Sequence, residues 1–177
     1  EDIAYSLALT RTHFEHRAGW MASSRDHLFN QLESFAESST VADGKLAFLF
    51  TGQGSQRGNM GAVLWESNSV FQESIQATAA LVDPHQEHSL CEVLFGEHTG
   101  LLDQTKYAQP ALFAIEVALF KVWSSMGVKP DYVIGHSLGE VVAAHVSGVL
   151  GIEDAVTLVL ARANLMNKLP SGGAMAS

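Results

Sequence analysis

Apolar and polar positions follow two regimes along the chain. In residues 1–42 the apolar residues are sparse and periodic. Ala4, Leu7 and Ala8 recur at helical spacing and predict a short helix. Residues 17–22 read as a strand. Residues 25–36 read as a second helix, with Leu28, Phe29, Leu32 and Phe35 on one face. Ser38-Ser39-Thr40 and Asp43-Gly44 then break the pattern. The expectation is a small α/β unit over 1–42 and a main domain over 43–177.

From Lys45 the apolar runs become continuous. Residues 46–50 predict a strand buried on both faces of a parallel sheet. A glycine-rich loop follows, Thr51-Gly52-Gln53-Gly54-Ser55-Gln56-Arg57-Gly58, then helical sequence over 59–82 and a polar loop over 83–88. Residues 109–126 predict a buried helix, with Pro110 near its first turn, Gly127 past its end and Pro130 beyond. Residues 132–134 predict a second buried strand, followed by helices over 138–150 and 152–169. Glu153 and Asp154 at the start of the latter, and Lys168 near its end, suit the helix dipole. Residues 172–177 read as the start of another strand. Strands alternating with helices define an α/β fold with a parallel sheet flanked by helices. Both ends read as interior to a longer chain.

Composition narrows the function. The 177 residues are 47% hydrophobic, enough for one domain core and a small appendage. Ten basic and 19 acidic side chains give a net charge of −9. That balance argues against nucleic acid and anionic membranes as partners, since both require clustered Lys and Arg. An anionic small substrate at one local basic site stays possible. Cys91 is the single cysteine, so no internal disulfide forms, in keeping with a cytoplasmic protein. The longest apolar stretch, 111–122, is interrupted by Glu116 and is too short to span a bilayer.

The chemistry concentrates at Gly135-His136-Ser137-Leu138-Gly139. Between a strand and a helix, Gly-x-Ser-x-Gly is the nucleophile-elbow pattern. The serine occupies a strained turn, the glycines let helix and strand approach, and the helix N-terminus offers N–H groups to an oxyanion. Ser137 is therefore the predicted catalytic nucleophile. His136 neighbours it and should point away. His145 lies about 12 Å further along the helix and cannot reach it. Glu140 suits the first turn of that helix.

Three other features bear on the chemistry. The glycine loop has one residue too many for a dinucleotide fingerprint, and no acidic residue closes a second strand after it. His85, His88, Cys91 and His98 lack zinc-motif spacing and read as a solvated loop, so no metal ligand set is predicted. Arg162 shares a helix face with Leu158, Leu165 and Leu169, which predicts a buried stripe. A buried guanidinium requires an anionic partner, either a protein carboxylate such as Glu140 or a substrate.

Residues 48–56, Tyr107-Ala108-Gln109-Pro110-Ala111-Leu112 and Gly135-His136-Ser137-Leu138-Gly139-Glu140 resemble the signature segments of the malonyl-CoA:acyl-carrier-protein transacylase family. They are most similar to the acyltransferase domains of type I polyketide synthases. Residues 1–42 resemble the linker from a ketosynthase to its acyltransferase. The resemblance implies a partial hydrolase-like large subdomain, with the ferredoxin-like small subdomain absent from this sequence. It implies that Ser137 is acylated, that the backbone N–H groups of Gln53 and Leu138 form the oxyanion hole, that Gln109 lines the site and that Arg162 pairs with the malonyl carboxylate. No cofactor is implied. The donor would be a coenzyme A thioester, and the acceptor the phosphopantetheine thiol of an acyl carrier protein. A ketosynthase would lie in the same parent chain. The family's catalytic histidine falls downstream of this sequence, so the piece alone is expected to be inactive. The competing readings are an α/β-hydrolase-type thioesterase and a non-catalytic linker module.

Overall fold

The structure, a computed structural model, describes residues 2–35, 39–40 and 44–170. The chain divides into two compact units, Glu1–Gly44 and Lys45–Ser177.

The first unit contains α1 (Asp2–Thr10), β1 (His16–Arg17), α2 (Arg25–Glu33) and β2 (Ser39–Thr40), with β1 and β2 antiparallel. Ser24 caps α2 by accepting the His27 N–H at 3.1 Å. The strand expected over 17–22 is only His16–Arg17, displaced toward the N-terminus. Gly19 falls within the expected segment, and glycine weakens a strand interior. The face of Leu28, Phe29, Leu32 and Phe35 is exposed rather than packed. Trp20 meets Phe35 edge to face at 5.3 Å.

The second unit begins with β3 (Ala47–Phe50) and continues through α3 (Ala62–Ser67), α4 (Ser69–Val82), α5 (Leu90–Phe95) and α6 (Thr105–Ser125). It ends with β4 (Tyr132–Gly135), α7 (Leu138–Val146) and α8 (Ile152–Asn167). Short 3-10 turns occupy Asp83–His85 and Thr99–Asp103. β3 and β4 are parallel neighbours, with Phe48 opposite Val133 and Phe50 opposite Gly135. Asp131 sets that register. Its carboxylate accepts the Leu46 N–H and the Lys45 ammonium, each at 2.9 Å, and its own N–H donates to Leu46 O.

α6 is the central helix and packs against α4, α5, α7 and α8. Phe113, Val117, Phe71, Ile75, Leu138, Val142 and Val159 form the centre of the core. α6 starts at Thr105, four residues before the expected start, so Pro110 sits inside it. A proline there leaves the carbonyl four residues earlier without its helical donor. That carbonyl, Lys106 O, accepts from Gln86 Nε2 at 3.0 Å instead. A side chain from a distant loop thus replaces the missing helix bond, which local sequence cannot reveal. α7 ends at Val146 rather than 150, where Gly148 takes φ +84°.

The two strands are not buried on both faces as expected. Leu49 is 73% exposed, and Tyr132 and Ile134 are also open to solvent, whereas Phe48 and Val133 pack on the core. Helices cover one face of this two-stranded sheet, and the alternating side chains on the other lie open. Residues 172–177, expected to start a strand, lie outside the described residues. No helix among the described residues is long and apolar enough to cross a membrane.

Candidate active site

The parallel strands bring their carboxyl ends together, and the two glycine-bearing turns meet there. His136 N–H donates to Phe50 O at 3.0 Å, extending the ladder one step into both loops. Glycines make the close approach possible. A Cβ on Gly139 would lie 2.3 Å from Phe50 O, and one on Gly135 would lie 2.1 Å from the Glu140 nitrogen. Neither space admits a side chain.

Ser137 holds φ +58° and ψ −109°, a backbone state that costs a non-glycine residue about 1–3 kcal/mol. It stands at the N-cap of α7 yet its hydroxyl does not cap the helix. Arg162 Nη2 donates to Ser137 Oγ at 2.6 Å instead.

Arg162 Nη1 donates to Gln109 Oε1 at 2.5 Å. An arginine only donates, so the Gln109 carbonyl oxygen must face it and the amide nitrogen must face away. That nitrogen reaches Gln53 Oε1 and Met166 Sδ, each at 3.3 Å. The Gln53 amide nitrogen then donates to Thr105 Oγ1 at 2.9 Å. One directed relay therefore joins Ser137, Arg162, Gln109, Gln53 and Thr105. Gln109, fully buried, is its fixed point.

The loop side lies equally close. A Cβ on Gly52 would be 3.3 Å from Ser137 Cβ and 2.9 Å from His136 Nδ1. Gln53 follows Gly52, and Leu138 opens α7. Neither backbone N–H has an acceptor among the described residues. Four of the five predicted residues, Ser137, Arg162, Gln109 and Gln53, are joined by side-chain contacts, and Leu138 adjoins Ser137.

The histidines do not serve Ser137. The His136 ring lies against Gly52, and His145 Nδ1 is 3.1 Å from Leu150 O. No side-chain base hydrogen-bonds Ser137 Oγ among the described residues. His88, Glu92 and His98 do come together, with ligand atoms within 4.8 Å of one another, while His85 and Cys91 stay outside that group. This proximity arises because α5 and the following 3-10 turn fold back on each other, and the linear spacing does not show it.

The stripe expected around Arg162 is corrected. Leu158, Leu165 and Leu169 are exposed, and α8 instead buries Ala155, Val156, Val159, Leu160 and Ala163. Apart from Leu160, smaller residues take the core face, where α8 packs against α6. Arg162 is half-buried between the two faces, and no carboxylate pairs with it among the described residues; Glu140 is exposed at the start of α7.

Sequence reasoning missed Glu116. It is only 9% exposed, and its Oε1 accepts the Thr51 N–H at 2.8 Å and the Thr51 hydroxyl at 2.6 Å. Burial raises its carboxyl above the usual carboxylate range, opposed in part by the two Thr51 bonds. The available signal was a single carboxylate inside an apolar helix, which must find donors. Glu116 and Thr51 line a cavity of about 600 Å³ on the side of β3 and α6, together with Phe48, Leu112 and Phe120. Ser137 and Arg162 are not among its walls.

Residues 47–177 match the acyl transferase domain family, and the chain belongs to that family. Over 98% of its length it is 46% identical to mycoketide-CoA synthase of Mycobacterium tuberculosis, of which it spans 4%. The acyl transferase domain of ZmaA superposes with a TM-score of 0.89 at 36% identity, over 97% of this chain and 42% of that one. Malonyl CoA-acyl carrier protein transacylase from Clostridium perfringens superposes with a TM-score of 0.64 at 32% identity, over 71% of this chain and 38% of that one. The fold is that of polyketide synthase acyltransferase domains.

Proposed function

We propose that this chain is the nucleophile-bearing part of an acyltransferase that loads a malonyl-type unit onto an acyl carrier protein during polyketide assembly. The observation that carries the proposal is the Arg162 bridge between Ser137 Oγ and Gln109 Oε1. A guanidinium held beside a nucleophilic hydroxyl suits an acyl group that ends in a free carboxylate. On substrate binding, the planar fork would turn from Ser137 to that carboxylate, still braced by Gln109.

Ser137 Oγ then attacks the thioester carbonyl. The Oγ–C bond forms, the C–S bond breaks, and coenzyme A leaves as its thiol with the serine proton. The backbone N–H groups of Gln53 and Leu138 stabilise the intermediate oxyanion. In the second half-reaction the phosphopantetheine thiol attacks the acyl-serine and regenerates Ser137. Serine requires a base, and the family resemblance assigns it to a histidine downstream of this sequence. The unit Glu1–Gly44 fits the linker from a ketosynthase in the same parent chain, and the 177-residue piece alone should transfer little acyl group.

The test supplies the full-length protein with labelled malonyl-CoA and a phosphopantetheinylated carrier protein. Label on the carrier thiol supports transfer. Label released only as free malonate, with none on the carrier, would establish a hydrolase.

A further inference from the structure

Glu116 has no part in the reaction as described, yet it is the most deeply buried carboxylate of the second unit among the described residues. Resting on the reading of Ser137 as nucleophile and Gln53 N–H as oxyanion donor, we propose that Glu116 is a positioning residue that fixes the glycine loop on α6 through Thr51.

The geometry is that of an anchor. Both donors of Thr51, its N–H and its hydroxyl, converge on Glu116 Oε1. The Thr51 hydroxyl oxygen is also 2.8 Å from Ser55 Oγ, and Ser55 Oγ donates to Gly52 O at 3.2 Å. Gly54 N–H donates to Gln56 Oε1 at 2.7 Å. The backbone from Thr51 to Gly54 is thus tied at both ends, with Gln53 between the ties.

α6 grips the loop at two points. Gln109 and Glu116 are seven residues apart, so they share one helix face about 10.5 Å apart along the axis. Gln109 holds the Gln53 side chain, and Glu116 holds the Thr51 backbone. A loop rich in glycine has little conformational preference of its own, so this double grip decides where the Gln53 N–H points. A merely packed position would favour an apolar residue, because burying a carboxylate is costly. That cost is increased here by Oε2, which is buried without a partner among the described residues.

The test compares Glu116→Gln, Glu116→Leu and Thr51→Val in the full-length protein, with malonyl-CoA as donor. Glu116→Gln keeps an acceptor oxygen and should hold kcat within about threefold of wild type. Glu116→Leu should lower kcat by about tenfold to a hundredfold, as expected for a misplaced transition-state contact, with KM within about twofold. Hydrogen exchange at the amides of residues 51–54 should quicken in the same variant. Thr51→Val, which keeps the backbone N–H, should lower kcat several-fold and decides the matter if the leucine variant does not fold. Unchanged kcat in Thr51→Val and in a folded Glu116→Leu would overturn the positioning role alone. A wild-type Ser137 that takes no acyl group would overturn the functional reading and this role with it.

Discussion

Ser137 heads helix α7 without capping it, and its Oγ accepts a hydrogen bond from Arg162 Nη2 at 2.6 Å. N-cap serines ordinarily turn inward to a helix N–H. Here the left-handed turn carries the hydroxyl out to a cation on the next helix, α8. The helix N-terminus is left with its own N–H groups unclaimed by that side chain, which is the arrangement an oxyanion needs.

Arg162→Ala should cut kcat/KM for malonyl-CoA by roughly a hundredfold, the loss expected for a charged hydrogen-bonded pair of about 3 kcal/mol. Use of acetyl-CoA should fall far less, because that substrate has no carboxylate to pair. Arg162→Lys should restore malonyl transfer only in part, since an ammonium lacks the planar fork that pairs a carboxylate while Gln109 braces it. Steady-state kinetics with both donors reads the ratio.

Gly139→Ala should destabilise the fold by about 4 kcal/mol or more, in the range reserved for severe backbone conflict. Its Cβ would press on the Phe50 backbone, which cannot move without breaking the β3–β4 ladder. Gly100→Ala, where no atom lies within 4 Å of the added carbon, is the matched control and should change stability by less than about 0.5 kcal/mol. Urea unfolding of the two variants measures the difference.

These glycines also show why the elbow was legible. Gly-x-Ser-x-Gly states a steric requirement, and the structure meets it at contacts too short for any side chain. Gln109 was readable only through family resemblance, because nothing local distinguishes a buried amide that orients others from one that merely packs. Arg162 was found for a reason that fails: Leu158, Leu165 and Leu169 are open, and its partners come from α6 and the elbow. Helical periodicity identifies an apolar face but not what covers it. Glu116 was visible only as an interruption, since its donors lie 65 residues away.

Two carboxylates should shape the pH dependence of stability in opposite ways. Burial raises the Glu116 carboxyl above its ordinary 4.5, so the native state holds that proton more tightly than the unfolded chain. Stability therefore falls as pH rises from about 4.5 through the raised value, and Glu116→Gln should remove that slope. The Lys45 ammonium and Leu46 N–H lower the Asp131 carboxyl from 3.8. Its contribution is present above that value and lost as pH falls through the lowered one, and Asp131→Asn should flatten only this acid limb. Urea midpoints across a pH series separate the two windows.

The central claim is that Ser137 carries the acyl group. Peptide mapping by mass spectrometry, after brief exposure of the full-length protein to malonyl-CoA, tests it most directly. The predicted result is one malonyl group on the peptide containing Ser137, absent in Ser137→Ala and discharged when carrier protein is added. A wild-type Ser137 peptide that stays unmodified, or an acyl group that forms equally in Ser137→Ala, would contradict it.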